Sequence, residues 1–211
     1  ISENNQKSTF VYYIYENDST DDTPCMIKDF FKTHAGVYLC DTLNKKQWEN
    51  VKDKERTTDM AFYRNKMKGL CCSWNDSAYS IILDTNISFS TETYKRMLDV
   101  LEKHNDIHMV TPYGVVETKP LKYYDTYALD INSSCAGNIL KKLRYEKQST
   151  NLVNLKSGFG GFILIRTQTL QQSEWKPDPD RLCSEHNSFC RDVLKHGRIV
   201  CAVDIHVEWR H

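Results

Sequence analysis

Two side chains with oxygen donors, Asp84 and Asn86, directly follow the apolar run at residues 80–83. Ligands of open α/β sheets bind beyond the carboxyl ends of strands, so both side chains are predicted to face such a crevice. Hard divalent cations prefer oxygen ligands, and a diphosphate supplies more of them. The pattern predicts a metal–diphosphate centre that includes Thr85 between the two donors. An ordinary turn is the alternative, because Asp and Asn are common turn residues.

The elements that must position these residues alternate between short β-rich runs and helical patterns along the 211 residues. This alternation predicts a single α/β domain with a central mixed, mostly parallel sheet flanked by helices. Strand patterns occur at residues 9–15, 36–40, 80–83, 107–110, 162–165 and 199–209. The uniformly apolar runs among them predict strands that are covered on both faces.

Helical spacing separates these strands. Apolar residues from Met60 to Cys71 recur at helical spacing, which predicts a helix with Arg56 and Arg64 off its apolar stripe. Ser90 and Ser184 are predicted N-caps of two later helices. The apolar face of the first is predicted to hold Tyr94, Met97, Leu98 and Leu101, and that of the second Cys190, Val193 and Leu194, with Gly197 as its end. A weaker, basic helix is predicted at 132–147.

Several short motifs follow one another in an order that resembles GT-A glycosyltransferases. They are the helix from Arg56 to Asn65, the Asp84–Asn86 strand end, Gly158-Phe159-Gly160-Gly161-Phe162, Ser184-Glu185-His186 and Asp204-Ile205-His206. Tyr123-Tyr124-Asp125-Thr126-Tyr127 is similar to a segment of fungal capsule mannosyltransferase-like proteins. The resemblance is greatest to the N-terminal glycosyltransferase domains of chlorella-virus enzymes that build the capsid glycan. It covers nearly the whole chain and implies a GT-A domain at the start of a longer chain.

The resemblance implies that Asp84, Asn86 and His206 bind a divalent cation, with Asp204 as the alternative to His206. Asn in place of a second Asp keeps an oxygen donor and removes one negative charge. Histidine is a better ligand for Mn²⁺ than for Mg²⁺, so Mn²⁺ is the first choice. A packed or solvated histidine is the alternative role for His206.

Catalysis of sugar transfer also requires an anion near the positively charged sugar, and the candidates are Glu185 and Asp125. Glu185 at a predicted helix start feels the positive end of the helix, which favours its ionised form; simple capping is the alternative. Asp125 could bind sugar hydroxyls or the acceptor, or could be a hydrogen-bonded loop residue. Gly160 and Gly161 would let the backbone approach the sugar, although a bulge or tight turn also uses glycine.

The nucleotide is expected to bind between the first strand and the helix that carries Arg56 and Arg64. Tyr15, Glu16 and Asn17 at the end of that strand are the predicted contacts, and the two arginines would stabilise the phosphates. Both arginines could instead lie on a solvated helix face. The resemblance implies that the nucleotide of the donor is UDP and that the sugar is a hexose or a deoxyhexose such as rhamnose.

Composition excludes several classes of protein. Lys and Arg together number 28, as do Asp and Glu, so the net charge of zero disfavours non-specific binding to nucleic acid. No apolar run approaches the length of a membrane span.

Eight cysteines without a C-x-x-C pair are expected to be reduced and structural, which implies a reducing compartment. A sequon at Asn86 agrees, because a glycan there would block the predicted metal site. We therefore expect the cytoplasm, that of the host cell if the protein is viral.

These observations predict a metal-dependent glycosyltransferase that acts on a glycan or glycoprotein acceptor. The resemblance implies that it retains the configuration of the sugar. A nucleotidyltransferase is one alternative, but it would carry a glycine-rich loop after the first strand, where this chain has Glu16-Asn17-Asp18-Ser19. A non-catalytic carbohydrate-binding module is the other, favoured by the 12 Tyr and 4 Trp residues.

Overall fold

The computed structural model describes residues 10–45, 54–71, 77–116, 122–130, 151–177 and 184–210. In these ranges the chain forms an α/β fold in which a mixed sheet is flanked by helices. The strands are β1 Tyr12–Asn17, β2 Gly36–Asp41, β3 Tyr79–Leu83, β4 Ile87–Ser88, β5 Ile107–Val116, β6 Lys122–Tyr123, β7 Leu152–Leu155, β8 Phe162–Arg166 and β9 Arg198–Trp209. The helices are α1 Thr23–Phe30, α2 Lys54–Cys71, α3 Thr91–Lys103, α4 Thr167–Gln172 and α5 Glu185–Val193. The predicted basic helix at 132–147 lies outside the described residues.

The larger sheet has the strand order β3-β8-β5-β9-β4, with β6 paired to β5 and β7 paired to β9. β5 and β9 are parallel neighbours, whereas the other pairs of this sheet are antiparallel. The predicted mixed sheet is therefore confirmed, but the expectation that it is mostly parallel is wrong. The reason is β8, which runs antiparallel between β3 and β5. The chain turns just before β8 at Gly160 and Gly161, whose φ angles of 64° and 75° favour glycine.

β1 and β2 form a separate parallel pair. Two strands alone are marginally stable, so this pair depends on what packs against it. Helix α2 supplies that support: Lys66 forms an ion pair with Asp41 at the end of β2. The ring of Tyr63 lies 5.7 Å from the ring of Tyr15 in β1. Helix α2 therefore connects the small sheet to the rest of the molecule.

The hydrophobic core covers both faces of the central strands. On one face Met109 of β5 belongs to the same cluster as Phe189 of α5. On the other, Val110 belongs to a cluster that includes Met97 and Leu101 of α3, and all five side chains are fully buried. The prediction that the apolar runs at 107–110 and 162–165 are covered strands is confirmed.

Strand β3 was expected to be covered in the same way, and this expectation is wrong. Among the described strands it pairs with β8 alone, at the edge of the larger sheet. Its side chains alternate between half-buried and buried, and Leu83 at its end is exposed. The chain therefore leaves the sheet at an open edge just before Asp84.

Both predicted serine caps are confirmed. The hydroxyl of Ser90 accepts a hydrogen bond from the backbone N–H of Thr93 at 3.2 Å, and the Thr93 side chain accepts one from the backbone of Ser90. Ser184 accepts a hydrogen bond from the backbone N–H of His186 at 3.3 Å. This second cap makes Glu185 the first residue of α5.

The five cysteines in the described ranges, Cys25, Cys40, Cys71, Cys190 and Cys201, form no disulfide. Cys190 and Cys201 are buried in the core, where a thiol packs as a small apolar group. None of the described helices combines the length and the apolar composition needed to cross a bilayer.

Candidate functional site

A guanidinium between two carboxylates forms the centre of the candidate site. Arg64 of α2 donates from Nε to Oε1 of Glu185 at 3.1 Å. Its Nη1 and Nη2 reach Oδ1 of Asp84 at 3.4 Å each. The side chains of Arg64, Asp84 and Glu185 are 11%, 27% and 4% exposed, so three charged groups share a largely buried position. The structure thus brings together three predicted site residues that are far apart in the sequence.

Local structure explains why each of them points to this position. Asp84 directly follows β3, and its backbone N–H donates to the carbonyl of Gly161 at 2.9 Å. Glu185 is held at the first turn of α5 by the Ser184 cap, where the positive end of the helix favours a carboxylate. Arg64 crosses from α2, and its guanidinium lies 4.8 Å from the centre of the Phe159 ring, a cation–π contact.

Asp125 lies beside this cluster and is bonded to the glycine turn. Its Oδ2 accepts a hydrogen bond from the Gly160 N–H at 3.0 Å, and its Oδ1 accepts one from the Ala128 N–H at 3.4 Å. Burial raises the pKa of Asp125 to about 6, and the nearby Asp84 carboxylate acts in the same direction. Asp125 is therefore a carboxyl group poised to change its charge near neutral pH.

The two glycines of this turn are needed for packing. A Cβ on Gly160 would lie 2.9 Å from Oγ1 of Thr111, and one on Gly161 would lie 2.3 Å from a methyl carbon of Ile87. Together with their positive φ angles, these contacts explain both glycines as a tight turn. The direct approach of this backbone to a sugar stays a prediction.

The pKa values of the two carboxyl groups in the cluster shift in opposite directions. Burial opposes ionisation of Glu185, but the adjacent His186 and Arg64 outweigh it and lower the pKa to about 2. Burial raises the pKa of Asp84, and the attraction to Arg64 only partly offsets this effect. The cluster therefore holds a firmly ionised Glu185 beside an Asp84 that is easier to protonate.

His186 is a member of the site that the sequence motifs contained without an assigned role. Its ring stacks on Phe159 with centroids 4.1 Å apart, and its Nδ1 accepts a hydrogen bond from Nε1 of Trp175 at 3.3 Å. The proton must then reside on Nε2, which lies 3.5 Å from Oε1 of Glu185. Its position next to Glu185 was the only signal in the sequence, because the two aromatic contacts come from distant segments.

Because burial lowers the pKa of His186 to about 3, with Arg64 acting in the same direction, His186 should make stability depend on pH. The unfolded chain takes up this proton below about pH 6.5 and the folded chain does not, so stability should fall as the pH drops from about 6.5 towards 3. The slope from this residue is at most about 1.4 kcal/mol per pH unit. His186→Gln keeps a donor towards Glu185 but cannot titrate, so it should remove this part of the slope.

Urea unfolding at several pH values measures the effect as the difference between wild type and His186→Gln. Titration of Asp125 changes the stability in the opposite direction between about pH 4 and 6. Because Asp125 is present in both proteins, its contribution cancels from the difference. Parallel stability curves for the two proteins would contradict a buried, neutral His186.

The residues predicted to bind the nucleotide lie next to helix α2. The hydroxyl of Tyr15 donates to Oδ2 of Asp41 at 3.0 Å, and the side-chain amide of Asn17 donates to Asp18 at 3.0 Å. Glu16 accepts a hydrogen bond from the backbone N–H of Ser19 at 2.8 Å. These contacts order the turn after β1.

Arg56 is half-buried on α2, eight residues before Arg64. Its charge opposes the effect of burial on the pKa of Asp84, so it lies close enough to act on the cluster electrostatically. Helix α2 therefore faces both the predicted nucleotide contacts and the charged cluster.

Asn86, Thr85 and His206 are not part of this cluster. Thr85 and Asn86 are exposed in the turn between β3 and β4, and the Asn86 amide donates to the carbonyl of Arg210 at 3.4 Å. Nε2 of His206 lies 3.2 Å from the carbonyl of Val203.

The position of His206 follows from the register of β9. Ile87, next to Asn86, pairs with Trp209, which is three residues or about 10 Å of strand beyond His206. Asp204, the alternative ligand, forms an exposed ion pair with Arg96. Neither residue shares a contact with Asp84 in the part of the chain that the structure describes.

Among the contacts of the described residues, none joins Asp84 to Asn86 or His206, so the three-ligand metal site stays a prediction. No three His, Cys, Asp or Glu side chains are arranged to hold a metal ion in the six described ranges. The cationic group in contact with Asp84 is the guanidinium of Arg64. Of the three predicted ligands, only Asp84 belongs to the buried cluster.

Comparisons with known proteins add no family. No protein-family model matches the chain, and no curated protein matches its sequence.

Proposed function

We propose that this chain is a glycosyltransferase that moves a sugar from a nucleotide diphosphate to a glycan acceptor. The observation that carries the proposal is the buried cluster of Arg64, Asp84 and Glu185 beyond the end of β3, with Asp125 beside it. Buried charges are costly, and groups with strongly shifted pKa values cluster at functional sites. A GT-A fold would present such a cluster to the donor at this position.

The proposed reaction needs opposite charges at two points. A hydroxyl oxygen of the acceptor bonds to the anomeric carbon, and the bond from that carbon to the diphosphate oxygen breaks. The electron pair of this bond leaves with the diphosphate, which also takes the hydroxyl proton. The hydroxyl attacks on the face from which the diphosphate leaves, so the configuration at the anomeric carbon is retained. Arg64 would stabilise the growing negative charge, and the ionised Glu185 would stabilise the positive charge on the sugar.

The Nη donors of Arg64 are still able to bind a phosphate in this structure. Its contacts with Asp84 are long at 3.4 Å, so they are weaker than the 3.1 Å bond to Glu185. A phosphate oxygen could take over the two Nη donors while Glu185 continues to orient the guanidinium.

The donor is proposed to be a UDP-sugar carrying a hexose or deoxyhexose such as rhamnose. Its nucleoside would lie at Tyr15, Glu16 and Asn17, which adjoin the helix that carries Arg64. Dependence on a divalent cation, with Mn²⁺ preferred to Mg²⁺, stays a prediction from the sequence. The proposed roles of Arg64 and Glu185 do not require it.

The setting proposed for this activity is the cytoplasm, where reduced cysteines are the rule. If the protein is viral, this is the cytoplasm of the host cell. The acceptor is proposed to be a glycan or glycoprotein, and nucleic acid is not an expected partner because the net charge is zero.

Nucleotide binding gives the first test. UDP at 100 times its dissociation constant should stabilise the protein by about 2.7 kcal/mol. This corresponds to roughly 5–10 °C in Tm for a domain of this size. The measurement is thermal unfolding with UDP, GDP and a nucleoside triphosphate, each with and without Mn²⁺.

Each outcome selects one function. Stabilisation by UDP above the other nucleotides supports the glycosyltransferase, whereas stabilisation by the triphosphate alone supports a nucleotidyltransferase. A protein that none of the three nucleotides stabilises is not a nucleotide-sugar enzyme, and the carbohydrate-binding alternative then takes its place.

A further inference from the structure

Two aromatic residues with no role in the proposed chemistry lie beside the glycine turn. The rings of Tyr124 and Trp209 have centroids 4.7 Å apart and are tilted by 44°. Tyr124 is 41% exposed, and its backbone N–H donates to the carbonyl of Gly114 at 3.0 Å. The pair thus presents an aromatic surface from the segment before Asp125 and from the end of β9.

The indole of Trp209 is held in place by glycines. A Cβ on Gly114 would lie 2.9 Å from its Nε1, and one on Gly161 would lie 2.8 Å from its Cζ2. The ring therefore lies against bare backbone, where another side chain would displace it. Its buried Nε1 has no hydrogen-bond partner among the described residues.

The same turn connects this aromatic pair to both carboxylates. The Gly161 carbonyl accepts the hydrogen bond from Asp84, and the Gly160 N–H donates to Asp125. Arg64 of α2 contacts Asp84 as well. A ligand on Tyr124 and Trp209 would therefore lie next to the turn that holds both carboxylates.

We propose that Tyr124 and Trp209 form the acceptor subsite and stack on a pyranose ring of the glycan. This inference rests on the proposed glycosyltransferase function. The C–H faces of a pyranose pack on aromatic rings, and its hydroxyls need hydrogen-bond partners next to those rings. Asp125 accepts hydrogen bonds here, and its carboxylate oxygens have further lone pairs for a sugar hydroxyl.

The position of the pair favours the acceptor over the donor. The donor's nucleoside is assigned to the β1 side of α2, and its diphosphate to Arg64. Tyr124 and Trp209 belong to neither of these two sites, and the glycine turn holds them next to Asp84 and Asp125, so the acceptor is the part of the substrate left for them.

The test compares Tyr124→Ala with Tyr38→Ala. Tyr38 is a matched control because it is 36% exposed and its ring also stacks on an aromatic neighbour, Phe31, at 5.2 Å. The methyl glycosides of glucose, mannose and rhamnose serve as probes at millimolar concentration, and saturation-transfer NMR detects their binding. We expect the wild type and Tyr38→Ala to bind at least one probe. In Tyr124→Ala the dissociation constant should rise about tenfold, as when one stacking contact is lost.

UDP-induced stabilisation of the same proteins keeps the two proposals apart. If Tyr124→Ala loses glycoside binding and UDP still stabilises it, both proposals are supported. If UDP stabilises the wild type but no probe binds, or if both variants weaken binding equally, the acceptor subsite is wrong and the transferase stands. If UDP has no effect on the wild type, the transferase proposal fails, and binding lost only in Tyr124→Ala would then identify a saccharide site of another kind.

Discussion

Replacing Arg64 with methionine should lower the free energy of unfolding by about 3–5 kcal/mol. The guanidinium is 11% exposed and lies between Asp84 and Glu185. Methionine occupies a similar volume but carries no charge, so two largely buried carboxylates would be left beside each other without a cation. The cation–π contact with Phe159 would be lost as well.

Urea unfolding followed by circular dichroism at neutral pH measures this change as a lower midpoint. Arg96→Met is the matched control, because Arg96 forms an ion pair with Asp204 in which both side chains are more than a third exposed. An exposed pair contributes about 1 kcal/mol or less. An equal loss of unfolding free energy in the two variants would show that the Arg64 cluster is not a buried charge network.

Replacing Asp84 with alanine should reduce sugar transfer from a UDP-hexose or UDP-rhamnose by at least about 100-fold, the size of effect seen when one electrostatic stabiliser is removed. Asp84 is the one residue that joins the end of β3, the Arg64 guanidinium and the glycine turn. The fold should persist, because Arg64 keeps its 3.1 Å bond to Glu185.

The measurement is UDP release with and without Mn²⁺, together with the circular dichroism spectrum of each variant. Asp99→Ala is the control, since Asp99 is an exposed carboxylate that pairs with Lys103 one helical turn away. We expect this control to match the wild type. Undiminished turnover in Asp84→Ala would show that Asp84 has no part in the mechanism. Equal turnover with and without Mn²⁺ would show that the reaction does not need the metal.

Local features of the site could be predicted from the sequence because they depend on residues close together in the chain. An apolar run ending in Asp84 predicts a strand end, and Ser184 followed by Glu185 predicts a capped helix. The structure confirms both elements. Ser90 and its helix are confirmed for the same reason.

Arg64 shows where such reasoning stops. Periodicity placed it off the apolar stripe of α2, where a solvated position was an equal alternative. Its partners are 20 and 121 residues away, so only the packing of α2 against the end of β3 and the start of α5 decides its environment. The same applies to His186, whose two aromatic neighbours come from segments that no local pattern connects to it.

The sequence by itself determined six of the nine described strands, the helix caps and the positions of Asp84 and Glu185 at the ends of their elements, since each depends on neighbouring residues. Only the tertiary structure decided the short strands β4, β6 and β7. It also decided that Arg64 joins these carboxylates, that Asp125 bonds to the glycine turn and that His206 lies outside the cluster. The antiparallel insertion of β8 and the register of β9 cause these differences. Strand order and register arise from contacts between distant residues, which the local periodicity of a single sequence does not contain.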